Sequence, residues 1–192
     1  MSRGVKIALI VVAVVVVLGF GLFGWVVSGY NKAVAMDENV NGRWAQVENQ
    51  LKRRYDLIPN LVETVKGYAS HERELFENIA EARTKYFQAD TVGGKIEASN
   101  RLEGVLSRLL LLREQYPQLK ANESFLKLQD SLEGTENRIA VERKRYNDAV
   151  QEMNTYRRTF YGRFFTALAG VGEAEYYELP EGEGEVPRVS FQ

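Results

Sequence analysis

The stretch from Ile7 to Asn31 contains no charged residue. From Ile7 to Val27 it is almost wholly aliphatic or aromatic, interrupted by Gly19, Gly21 and Gly24. About 20 apolar residues, each rising about 1.5 Å, match a hydrocarbon core about 30 Å thick. A helix in a water-soluble core would carry a polar face, and this segment has none. Trp25 and Tyr30 stand at its far end, where amphipathic rings favour the headgroup level. The rival reading is a cleavable signal peptide, since Ala33-Val34-Ala35 resembles a cleavage site. A signal core usually runs only about 7–15 residues, so the length favours a retained anchor over residues 7–29.

Arg3, Lys6 and the amino terminus precede the span. Lys32 and Arg43 follow it, diluted by Asp37 and Glu38. The positive-inside rule therefore leans toward a cytoplasmic N-terminus and an extracytoplasmic domain.

The rest of the 192-residue chain has room for one domain. Lys and Arg total 25 against 26 Asp and Glu, so no global basic field invites nucleic acid. Cysteine is absent, which excludes disulfides, thiol nucleophiles and thiolate metal sites but leaves the redox compartment open. His71 is the single histidine, so one copy of the chain cannot build a two-histidine metal site. Scarce proline and abundant leucine, glutamate, arginine and alanine favour helix over strand.

Apolar residues beyond the anchor recur in steps of three and four. Val40, Trp44, Val47, Leu51, Tyr55, Ile58, Val62, Val65 and Ala69 form a stripe close to a heptad seam. Arg43, Gln46, Glu48, Gln50, Lys52 and Arg53 lie opposite, with Glu48 and Lys52 spaced for an i,i+4 ion pair. Asn41-Gly42 reads as a break near the membrane. Pro59 lacks a donor and crowds the carbonyl of Tyr55, so it kinks the helix or starts a new one. Gly67 reads as a helix stop and Ser70 as the next N-cap, with Glu72 and Glu74 in the following turn.

A second segment to about Ala89 turns Leu75, Phe76, Ile79, Ala82, Tyr86 and Phe87 inward or to an interface. Thr91-Val92-Gly93-Gly94 reads as a turn. A third helix runs from about Lys95 to Tyr116, with Ile96, Leu102, Val105, Leu106, Leu109, Leu110 and Leu112 as its apolar set, and Pro117 ends it. Asn122 caps the fourth and longest helix, whose stripe runs Phe125, Leu128, Leu132, Thr135, Ile139, Tyr146, Ala149, Met153, Tyr156 and Phe160. Gly134 within it calls for a close helix contact, because glycine there costs about 1 kcal/mol against alanine. The expected fold class is all-α: a transmembrane helix, then an elongated antiparallel bundle of about four helices over residues 30–170. Phe164, Phe165, Ala167 and Leu168 make a short apolar segment that caps the bundle or touches the membrane surface. The tail, residues 171–192, is acidic and glycine-rich and reads as extended or disordered, with Val186, Val189 and Phe191 as local docking points.

Lys52, Arg53, Arg54 and Asp56 form the most inviting surface, suited to acidic lipid headgroups or an acidic partner. The plainer explanation is a solvated helix face with local ion pairs such as Lys52 to Asp56, each worth under about 1 kcal/mol. Asn60 is the other candidate, with an amide able to satisfy a carbonyl freed by the kink. His71 and Glu74 stand at i,i+3, a spacing used in metal-binding bundles, but those need further inward carboxylates and a second histidine. No serine or threonine sits in a nucleophile-elbow context, and Gly93-Gly94 lacks the lysine and hydroxyl of a phosphate loop. The Asn122-Glu123-Ser124 sequon coincides with the helix cap. No catalytic residue, metal or cofactor is assigned.

The run Gln50-Leu51-Lys52-Arg53-Arg54-Tyr55-Asp56-Leu57-Ile58-Pro59-Asn60-Leu61-Val62, followed by Thr64-Val65-Lys66-Gly67-Tyr68, closely resembles the signature of the bacterial LemA family. Tyr116-Pro117-Gln118-Leu119-Lys120-Ala121-Asn122, Leu132-Glu133-Gly134-Thr135-Glu136-Asn137-Arg138-Ile139, Tyr146-Asn147 and Val186-Pro187-Arg188-Val189-Ser190-Phe191 resemble the same pattern. One departure is that Phe160 is followed by Tyr161-Gly162-Arg163-Phe164-Phe165 where the family tends to have Phe-Pro. The resemblance implies a bacterial inner-membrane protein with one membrane helix and a helical bundle. It also implies association with cell-envelope processes, in some members with a membrane zinc protease or magnetosome membranes.

The expected function is a non-catalytic, membrane-anchored scaffold or adaptor. Its expected partners are the lipid bilayer, further copies of itself, or a membrane protein such as a membrane protease, with no nucleic acid and no small-molecule substrate. Gly19, Gly21 and Gly24 offer close helix packing in the bilayer, without a strict small-xxx-small spacing. One alternative is a membrane-surface binding or remodelling protein that uses the basic cluster and the aromatic segment Phe160 to Phe165; the other is an enzyme, disfavoured by the absence of any convergent polar constellation.

Overall fold

A computed structural model describes residues 2–179. They form seven helices: α1 (Arg3–Tyr55), α2 (Ile58–Lys66), α3 (Arg73–Gln88), α4 (Val92–Gln115), α5 (Pro117–Lys120), α6 (Glu123–Arg158) and α7 (Phe160–Leu168). No strand occurs among the described residues, and the all-α class is observed. Two compact units share this chain. Among the described residues, one holds 2–42 together with Asp148–Ala174, and the other holds Arg43–Asn147 together with 175–179.

In the first unit, α1 carries the apolar stretch with its side chains outward: Val17 is 69%, Phe20 74% and Phe23 68% exposed. Apolar surface on that scale is unfavourable in water, at about 25 cal/mol per Å², and α1 is the one described helix long and apolar enough to cross a membrane. The helix does not break at Asn41-Gly42, contrary to expectation. The cost of one glycine, about 1 kcal/mol, is small beside the hydrogen-bonded turns on either side. Ala33 of the Ala33-Val34-Ala35 triplet lies buried inside this continuous helix.

The second unit is built from the apolar stripes. Val47, Leu51, Tyr55, Ile58, Val65 and Ala69 are buried, but Leu61 replaces the expected Val62. The reason is a tightened turn at Asp56-Leu57. There the Leu57 amide bonds back to Arg54 at 3.1 Å, an i to i−3 step that advances the register before α2 begins. Pro59 occupies the first turn of α2, where its missing amide is tolerated.

Gly67 follows the last residue of α2, as expected. Ser70 is not the next cap: α3 starts at Arg73 after Glu72, without a side-chain cap bond. The chain after Gly67 bends first, with the Glu72 amide bonding to the Ala69 carbonyl at 3.2 Å. On α3, Phe76, Ile79, Ala82 and Tyr86 are buried, and Phe87 stays 48% exposed.

Thr91 to Gly94 is not a free turn. The Thr91 hydroxyl accepts the Gly94 amide at 3.1 Å, so Val92-Gly93-Gly94 becomes the first turn of α4, which packs against α3. A good N-cap outweighs two glycines when the first-turn amides are otherwise orphaned. The cap at Asn122 is present, its side-chain oxygen accepting the Phe125 amide at 2.9 Å.

Two further expectations fail. Glu48 pairs with Lys95 of α4 rather than with Lys52, because a tertiary partner competes with the i,i+4 neighbour. Gly134 has no close helix contact: a Cβ there would meet nothing within 4 Å among the described residues. Gly134→Ala is therefore expected to stabilise the fold by about 1 kcal/mol. Thermal unfolding of the detergent-solubilised chain by circular dichroism checks this, and an unchanged or lower midpoint would contradict it.

Candidate functional site

The residues singled out from the sequence do not form one surface. Lys52, Arg53 and Arg54 occupy the last turn of α1, where cations complement the negative end of the helix dipole. Lys52 and Arg53 face water, whereas Arg54 is only 6% exposed. Its guanidinium reaches Glu103 of α4 at 2.6 Å and also bridges to Glu136 of α6. Arg143, one further helical stretch along α6, bonds the other oxygen of Glu136 at 3.0 Å. Arg54 thus belongs to an internal ionic junction and not to a solvent-facing basic patch. The signal was in the spacing: Arg54 lies three residues after Leu51 and four before Ile58, on the apolar seam.

This junction borders a cavity of about 450 Å³ lined by Arg54, Glu103, Glu136, Arg143, Leu132 and neighbouring side chains. Nearby, burial and the Glu103 carboxylate hold the Tyr55 hydroxyl protonated well above the ordinary tyrosine range. The arrangement joins helices by charge, since each acidic group has an arginine against it.

Asp56 and Asn60 are exposed in and after the tight turn. The carbonyl of Tyr55 that Pro59 leaves without a donor is met by the side chain of Arg83, from α3, at 3.4 Å. Sequence reasoning assigned that task to Asn60. Arg83, 28 positions beyond Tyr55, does it instead, which local spacing does not reveal. His71 is exposed, and no group of three or more histidine, aspartate or glutamate residues is placed to hold a metal among the described residues.

The start of the tail has no helix or strand, as expected, but it is held by side chains of α6. In the second unit, Asn147 holds Tyr177 by both backbone groups: its amide donates to the Tyr177 carbonyl at 3.0 Å and its oxygen accepts the Tyr177 amide at 2.8 Å. The Tyr177 ring is buried, shares a hydrogen bond with Ser99, and lies 6.3 Å from Trp44. Tyr146 donates to the Glu175 carbonyl at 2.7 Å, and its own hydroxyl pKa is pushed up to about 12 by burial and by Glu175. In the first unit, Asn154 clamps Ala174 in the same two-bond way, at 2.9 and 3.1 Å. Backbone groups that would otherwise need water are satisfied by side-chain amides. The tail is therefore held as far as Glu178, whose carbonyl accepts the Asn100 side-chain amide at 2.8 Å, and the expected contacts of Val186, Val189 and Phe191 lie outside the described residues.

The other surface lies in the first unit. Phe160 does not continue the α6 stripe. Thr159 is extended and caps α7, its hydroxyl accepting the Gly162 amide at 3.1 Å. Gly162 is required there, because a Cβ would run into the Tyr156 carbonyl. Phe165 points inward against Gly29, where a Cβ would collide with the ring, and its centroid lies 4.9 Å from Trp25. Tyr161 packs edge-on to Trp25 at 5.4 Å. This leaves Phe160 86%, Tyr161 60%, Phe164 56% and Leu168 53% exposed.

The ionic junction makes a sharp prediction. Arg54→Gln removes the buried cation that joins Glu103 to Glu136 and is expected to destabilise the fold by about 3 kcal/mol. Lys52→Gln and Arg53→Gln should each stay within about 0.5 kcal/mol. Urea unfolding of the three variants in one detergent checks this, and equal midpoints would refute the inward role of Arg54.

Comparison with known proteins gives a consistent relationship. The chain is 27% identical to magnetosome protein MamQ 2 of Paramagnetospirillum magneticum, over 95% of this chain and 76% of that protein. It is 24% identical to magnetosome protein MamQ of Magnetospirillum gryphiswaldense, over 80% of this chain and 66% of that one. It is also 24% identical to protein LemA of Metamycoplasma hominis, over 76% of this chain and 67% of that one. The LemA family profile matches residues 43–191, which include the ionic junction and the clamped tail. The chain is a member of the LemA family.

Proposed function

We propose that this protein is a non-catalytic, membrane-anchored scaffold or adaptor of the bacterial cell envelope, working through its helical bundle on itself or on a partner membrane protein such as a membrane protease. The continuity of α1 carries this reading. One unbroken helix of 53 residues supplies the apolar span and then Trp44, Val47, Leu51 and Tyr55 to a buried core. A partner held by the bundle would be held by the anchored element itself. The strongly interacting charges, Arg54, Glu103, Glu136 and Arg143, are engaged with one another, which suits a structural role. By the positive-inside bias, the N-terminus is cytoplasmic and the bundle extracytoplasmic.

A second reading, membrane-surface binding or remodelling, is favoured by the exposed aromatic residues of α7. Its basic component would come from arginines at the end of α6 and within α7 rather than from Arg54, which is buried.

Crosslinking of the full-length chain in native membranes should trap a discrete complex, either a homo-oligomer or a fixed pairing with a second membrane protein. Recovery of monomer alone across crosslinker lengths and expression levels would contradict the scaffold reading.

A further inference from the structure

Two hollows in the first unit share a wall. One, about 390 Å³, is lined by Arg157, Arg158, Arg163 and Thr166, with Ala167 and Val171 beside them. The other, about 830 Å³, is lined by Trp25, Phe160, Tyr161 and Phe164, and again by Arg158, Arg163 and Ala167. A pocket of arginines thus opens directly onto an apolar, aromatic groove. That groove reaches Trp25, at the end of the uncharged span, the level at which aromatic rings meet headgroups. A ligand that fills both hollows must carry negative charge at one end and hydrocarbon at the other.

We infer that this is a binding site for an anionic phospholipid, with the phosphate among Arg157, Arg158 and Arg163 and an acyl chain along the α7 groove. The inference rests on the second reading above and names its ligand. Guanidinium groups match phosphate oxygens in geometry and charge, and the long arginine stems can follow apolar surface while their heads stay polar. Glu173 already sits on this cluster, 2.9 Å from Arg157 and 3.7 Å from Arg158. Its carboxylate stands where a phosphate would bind and competes with it. Three arginines against one carboxylate leave a net positive charge, which favours an anionic headgroup over a zwitterionic one.

The test uses the full-length chain reconstituted in vesicles of phosphatidylcholine alone or mixed with phosphatidylglycerol, then extracted in mild detergent. Lipid retained per chain is read by native mass spectrometry. Phosphatidylglycerol should be retained in preference to phosphatidylcholine. Arg157→Gln, Arg158→Gln and Arg163→Gln should each weaken retention by about fivefold, and Glu173→Gln should strengthen it. Lys52→Gln and Arg53→Gln should leave it unchanged. Equal retention of the two lipids overturns the proposal, as does a Glu173→Gln variant that gains nothing. A Phe160→Cys variant carrying a fluorophore separates the two levels of failure. Quenching by brominated lipid without a phosphatidylglycerol preference removes the headgroup site and keeps α7 at the membrane. No quenching removes both.

Discussion

The apolar residues of α1 satisfy two different solvents, and the rest of the structure depends on that division. Up to Phe23 they are arranged around the whole helix and are exposed; from Val40 onward they occupy one side and are buried. A helix apolar all round suits lipid, whereas a single stripe suits a bundle core in water. The helix hydrogen bonds are the same in both parts, so the backbone does not need to break where the pattern changes. Gly42 illustrates this: glycine lowers helix preference locally, yet α1 continues through it.

The core of the second unit is tied by charge as well as by apolar packing. Arg54 leaves water to meet Glu103 and Glu136, and Arg143 shares Glu136. A buried ion pair adds little net stability over apolar residues of the same shape, but breaking one is expensive. Here it links side chains of α1, α4 and α6 at one point, so its loss would be felt by all three helices. The side-chain clamps of Asn147 and Asn154 have a comparable effect on the segment after Gly172. They give its backbone specific partners in place of a sheet or helix.

Helix type, most buried positions and the Asn122 cap were legible from apolar spacing and cap chemistry, which are local properties of the chain. What escaped the sequence depended on distant partners or on small local shifts of cap and register. Thr91 turned two glycines into a helix start because orphaned amides needed an acceptor. A single tight step at Asp56-Leu57 moved burial from Val62 to Leu61. The inward turn of Arg54 was readable from its place on the seam, but charge made the solvated face look the safer assignment. Tyr177 had no periodic neighbours to mark it, and its burial depends on Asn147, 30 residues earlier. Of the candidate lipid surface, the aromatic half was visible as Phe160 to Phe165. Its arginines belong to the end of α6 and to α7, and only the fold places them at one pocket.

The most direct test of the account exploits the absence of native cysteine. Single cysteines replace Val15 or Phe20 in the span and Arg53 in the last turn of α1, and each variant is treated with a water-soluble maleimide in intact membranes. The account predicts that Arg53→Cys labels readily, while Val15→Cys and Phe20→Cys label only after detergent dissolves the bilayer. Labelling of Val15→Cys or Phe20→Cys at the rate of Arg53→Cys in intact membranes would contradict it.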